Sequence, residues 1–174
     1  GRRQPYKRRN EPDYHQAALA TPKVALDELV AKYVVSALVC YPNLIEEYEE
    51  KLMNFSINNE ELRHLLDSVF DIAMEGEAAT FEEMLEALKK RGLEKTADKL
   101  LEFKMLRQQN PNDVRMRENI DLRIVESQLC QLDSEIKDCL RQLQNSESFS
   151  EEAYKRYESL KKARESLINS QDFE

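Results

Sequence analysis

The segment Glu61-Leu62-Arg63-His64 sets a carboxylate and an imidazole three residues apart. On a helix both would share one face, and di-iron bundles use this Glu-x-x-His spacing for metal. Such a centre needs the motif twice, plus two further carboxylates. The other histidine, His15, has no Glu three residues before it. We therefore expect no metal and read His64 as a boundary residue of a helix. Cys40, Cys130 and Cys139 lack metal spacing, and each lies in a helical pattern beside apolar residues. Buried structural thiols in a reducing cytosol are expected. Three glycines leave no room for a phosphate-cradling loop, and no Gly-x-Ser-x-Gly elbow occurs. Paired carboxylates such as Glu46-Glu47 and Glu82-Glu83 fall in first turns of expected helices, where they complement the helix dipole. No catalytic residue and no cofactor is expected. The chain reads as a binding module rather than an enzyme.

The composition points to helices. Of 174 residues, 34% are charged, with only 3 Gly and 5 Pro. The net charge is −8, but residues 1–15 hold five basic and two acidic side chains, so the remainder carries −11. An acidic body is a poor duplex-DNA binder. The basic lead-in is read as a solvated linker able to touch nucleic acid weakly. No run of about 18 apolar residues suggests a membrane span. No apolar stretch follows the basic N-terminus as a signal peptide requires, so a cytoplasmic protein is expected. The chain does not begin with Met, and we expect a fragment of something longer.

The elements follow from capping and apolar spacing. Residues 1–20 lack periodicity and read as a flexible basic linker. Thr21 and Pro22 are expected to cap and open a helix carrying Leu26, Leu29, Val30, Tyr33, Val34, Ala37 and Leu38 at 3-4 spacing. Tyr41-Pro42 should end it and open the next within two residues, because proline disfavours helix before itself and fits the first turn after. Asn58 with Glu61, and Thr80 with Glu83, have capping-box spacing. Gly76 and Gly92 mark helix ends. Residues 93–106 should form one further helix. After Asn110-Pro111, residues 112–145 read as one helical segment of 34 residues without Gly or Pro. Leu122, Val125, Leu129, Leu132, Ile136, Cys139 and Leu143 form a coiled-coil seam within them. A last helix opens at Ser148 and Glu151, with Ala153, Tyr157, Leu160, Ala163 or Arg164, and Leu167 facing that seam. The expected fold is all-α: a bundle over 21–108, then a long helix and a protruding antiparallel hairpin over 109–174. No strand is expected.

Phe149, Tyr154, Tyr157, Leu160 and Ile168 are more apolar and aromatic positions than one seam buries, which marks an interface. Lys155, Arg156, Lys161, Lys162 and Arg164 add a basic patch suited to an acidic partner.

The order of these elements resembles the C-terminal, helicase-binding domain of bacterial DNA primase. The resemblance rests on "SALVCYPNLI" (36–45), where a Leu-rich helix end meets x-Pro-x-Leu. It rests also on the final pair, "LRIVESQLCQLDSEIKDCLRQL" and "FSEEAYKRYESLKKARESL". It covers about residues 22–170. It implies docking on the hexameric replicative helicase, which couples primer synthesis to fork unwinding. The full-length parent would be a DNA-directed RNA polymerase, a nucleotidyltransferase with its catalytic domain outside this chain. The helicase contacts would fall on Phe149, Tyr154, Tyr157, Lys161, Lys162, Arg164 and Ile168. The resemblance further implies that the acidic tail of single-strand-binding protein could be received near Lys23 and Lys32. Two alternatives stand: the N-terminal collar of the helicase itself, and a self-associating coiled-coil scaffold.

Overall fold

Helix α1 (Glu28–Cys40) is the axis of the molecule in the computed structural model, which describes residues 24–145 and 150–171. Eight of its thirteen residues are buried: Ala31 and the run Val34 to Cys40. The Asp27 carboxylate caps it, accepting from the Leu29 and Val30 amides at 2.9 and 3.3 Å. The start expected at Thr21 and Pro22 is thus displaced; those two residues lie outside the described set. Val24–Ala25 (β1) instead pairs in parallel with Phe55–Ser56 (β2). A minimal two-stranded element therefore exists where no strand was expected. It satisfies backbone groups that flank α1, as does the Leu26 amide on the Ser56 carbonyl at 2.9 Å.

The expected corner after α1 is present. Tyr41 leaves the helical region at φ −130°, ψ 75°, and Pro42–Leu44 forms a 3-10 turn leading into α2 (Ile45–Leu52). The chain bends by 109° there. Asn110, before Pro111, has nearly the same backbone, φ −127° and ψ 83°. The Tyr41 hydroxyl donates to the Asn110 carbonyl, so the two proline corners are tied together. Asn110 is completely buried. Its side-chain amide donates to the Leu106 carbonyl at 2.8 Å, and its side-chain oxygen accepts from Asn119.

Helix α3 (Glu60–Met74) is capped by Asn59, one residue later than expected. Asn59 accepts from the Leu62 amide at 3.0 Å and donates to Glu28 at 2.8 Å. That second bond, across to the first turn of α1, is not open to a sequence-local count. Helix α4 (Phe81–Lys90) begins as expected, with Thr80 accepting from the Glu83 amide at 3.2 Å. Gly76 and Gly92 have φ of +70° and +75°, as helix-ending positions require.

The single helix expected over 93–106 is two: α5 (Glu94–Leu100) and α6 (Phe103–Gln109). Leu101 is extended at the break. The break lets Leu101 and Leu106 both enter the core and sets Phe103 edge-on to Phe81, with ring centroids 5.4 Å apart.

Helix α7 runs from Asp113 to Asn145 and α8 from Glu151 to Gln171. The core reaches α7 at Met116, Ile120 and Ile124, none of which belonged to the expected seam. Leu122, which did, is 50% exposed. The phase differs because the first third of α7 packs on α1 rather than on a coiled-coil partner. An α-helix also drifts by about 20° per heptad from a strict seven-residue repeat. Beyond that point Leu129, Leu132, Ile136 and Leu143 are half-buried and Cys139 is buried. Between Ala163 and Arg164, the arginine faces inward and the alanine is exposed. Cys130 is exposed, against the expectation for it, because it lies off the strip facing α8.

Tyr48 links α2 to α7. It is fully buried, with its hydroxyl 2.6 Å from Asp121 Oδ1 and 3.2 Å from the Arg117 carbonyl. Burial first, then this hydrogen bond, push its pKa up. Glu47–Arg117 at 2.9 Å and Lys51–Asp121 at 3.7 Å flank it.

The described fold is all-α apart from the two short strands. Among the described residues no single helix is long and apolar enough to cross a membrane.

Burial raises the Cys40 thiol from its ordinary 9.0 to about 12. Above pH 9 the unfolded chain loses this proton while the folded chain keeps it. Stability therefore falls as pH rises from 9 towards 12, by up to about 1.4 kcal/mol per pH unit from this group. Urea melts from pH 8 to 10.5 should show that fall, and Cys40→Ala should flatten it. Equal slopes in the two proteins would contradict the assignment.

Candidate partner-binding site

The expected interface residues lie along α8, none of whose described residues is fully buried. Tyr154 is 44% exposed. Its ring centroid is 6.4 Å from that of Tyr157, with the planes tilted by 45°. Three residues apart, the two rings share one helix face. Lys161 continues this ladder, with Nζ 5.2 Å from the Tyr157 ring centroid. Tyr157 and Ile168 are half-buried, so each has one side towards α7 and one towards solvent. Lys161 and Lys162 are exposed. Arg164 instead pairs with Asp133 of α7 at 2.6 Å, which makes it an inter-helix clasp as much as a contact residue. Phe149 lies outside the described residues.

Position along α8 rises as position along α7 falls. Arg164 meets Asp133, while Gln171 shares a cavity with Gln128 and Asp121. The two helices therefore run antiparallel where they touch. The Tyr154-Tyr157-Lys161 ladder combines aromatic area with positive charge, a pairing that serves an acidic partner surface. Reversing Lys161 and Lys162 to Glu should slow association with such a partner about tenfold at low salt and flatten its salt dependence. Stopped-flow association rates check this; an unchanged rate would reduce the patch to solvated charge.

Lys32 sits in a different place. It is half-buried and lines a cavity of about 380 Å³ between α1, α5, α6 and α7. Lys99, Arg123, Tyr33 and Met105 share the lining, as does Leu29. Leu29 and Met105 are 76% and 56% exposed, an apolar floor open to solvent. Arg123 lies over the Tyr33 ring at 4.5 Å from its centroid, and Lys99 pairs with Glu61 at 3.5 Å. Glu102 brings one carboxylate to the rim against the three cations. The sequence reading missed Lys99, Arg123 and Met105. They lie 67, 91 and 73 positions from Lys32, and only the tertiary fold brings them together. Lys23 lies outside the described residues.

Glu61 turns to Lys99, and His64, expected at the boundary of its helix, is exposed on α3. Among the described residues no group of three or more His, Cys, Asp or Glu side chains could hold a metal ion. No protein-family model, no curated protein and no solved structure matches the chain.

Proposed function

We propose that this chain is the non-catalytic, helicase-binding domain of a bacterial DNA primase, acting in the cytoplasm to couple primer synthesis to fork unwinding. The observation that carries the reading is the order of elements. An apolar helix stops at Tyr41-Pro42, a helical bundle follows, and a long α7 runs antiparallel to a shorter α8. The Tyr154-Tyr157-Lys161 ladder, exposed at Tyr154 and Lys161 and half-buried at Tyr157, supplies a surface of the kind a partner grips. Sedimentation velocity of the chain alone and mixed with the hexameric replicative helicase tests this. The reading expects a monomer or weak dimer alone that moves to the helicase boundary on mixing. A stable oligomer alone, with no shift on mixing, would favour a self-associating scaffold.

The groove at Lys32 favours a second partner, the acidic tail of single-strand-binding protein. Three cations surround an apolar floor there, a chemistry suited to an acidic peptide with an aromatic end. Titrating such a peptide should move backbone NMR signals around Lys32, Lys99 and Arg123. The shifts should vanish in about 0.5 M salt. No shifts at low salt would leave the helicase as the one proposed partner.

A further inference from the structure

Burial is divided unevenly along this chain. The core cluster spans Leu26 to Ile124. Helix α8 contributes no buried residue. On α7 beyond Ile124, Cys139 is the one fully enclosed residue, and it stands outside the core cluster. Helix α8 packs along this part of α7 through half-buried side chains, among them Ala153, Tyr157, Leu160 and Leu167. The Arg164–Asp133 pair that joins the two helices has side chains 40% and 48% exposed. Ion pairs that exposed add little to stability. Half-covered apolar residues gain less than core residues of the same type. The attachment of α8 is therefore weak beside the packing of the bundle, and weakly attached elements open on their own.

We propose that α8 is a separately opening strap. It leaves α7 and returns while the bundle stays folded, and each opening bares Leu129, Leu132, Ile136, Cys139 and Leu143. The proposal stands whether or not the helicase is the partner. A partner that grips the covered side of α8 binds the open fraction only, so its apparent affinity falls in proportion to that fraction.

The three cysteines are built-in probes for this motion. Cys130 is exposed, Cys139 is enclosed on the strip that α8 covers, and Cys40 is in the bundle core. The native chain is pulsed with iodoacetamide, and each site is read by mass spectrometry. Each rate is divided by that site's rate in the urea-unfolded chain. Cys139 should react more slowly than Cys130 but at least about 100-fold faster than Cys40. Low urea should barely change the Cys139 rate and steeply raise that of Cys40, because a local opening exposes little new surface. Arg164→Ala should accelerate Cys139 several-fold and leave Cys40 unchanged. Equal normalised rates at Cys139 and Cys40 with the same urea dependence would mean one cooperative unit and overturn the proposal. So would an Arg164→Ala variant that speeds both sites alike.

Discussion

Removal of residues 145–174 should abolish the proposed binding to the replicative helicase while the bundle keeps its fold. The proposed contacts Tyr154, Tyr157, Lys161, Lys162 and Ile168 leave together with Arg164. The cut also falls well beyond the last α7 residues of the core, Met116, Ile120 and Ile124. A chain ending at Gln144 therefore retains every member of the core cluster. Its far-ultraviolet dichroism should fall by the helical content lost, and its main urea transition should stay within about 1 kcal/mol of the parent's, as expected for loss of a surface element. Binding should drop by 100-fold or more, about 2.7 kcal/mol. Binding kept at the parental affinity would place the interface on the bundle and contradict the proposal for α8.

Leu38→Ala has the largest expected effect on stability. Leu38 is completely buried in the last turn of α1, the helix that touches α3, α4, α6 and α7. Truncation leaves a cavity that four surrounding helices cannot collapse together, so the cost is roughly 2–5 kcal/mol. That is a large share of the roughly 5–15 kcal/mol that stabilises a typical domain. The urea midpoint should fall with its slope unchanged. Leu29→Ala, on the same helix but 76% exposed, should change stability by no more than about 0.5 kcal/mol. Similar losses in the two variants would contradict the central role of α1.

What could be read before the structure was local chemistry. The Tyr41-Pro42 and Asn110-Pro111 corners follow from steric rules that act between neighbours, as do the Thr80 cap and the glycine stops at 76 and 92. All were legible, as was the all-α class. Features that depend on distant partners were not. Asn59 takes the cap from Asn58 because Glu28, 31 positions away, rewards it. The break at Leu101 depends on a core that helices α1 to α7 build jointly. Leu122 fits the heptad count, yet the bundle selects the 116-120-124 face of the same helix. In the candidate site, Tyr154, Tyr157 and Lys161 were legible because one helix carries them at neighbouring turns. The groove around Lys32 was not, since four helices supply its cations and floor. The buried Asn110 junction was missed because polar residues beside a proline ordinarily read as exposed turn. Its burial is sustained by the Tyr41 hydroxyl, 69 positions away, together with Leu106 and Asn119.

Isothermal titration of the intact chain into the hexameric replicative helicase tests the central claim most directly. The helicase-binding account predicts saturable binding in the micromolar range or tighter, lost when the titrant is the chain ending at Gln144. Absence of saturable binding by the intact chain at concentrations up to about 100 µM, beyond the range of a specific weak complex, would contradict it.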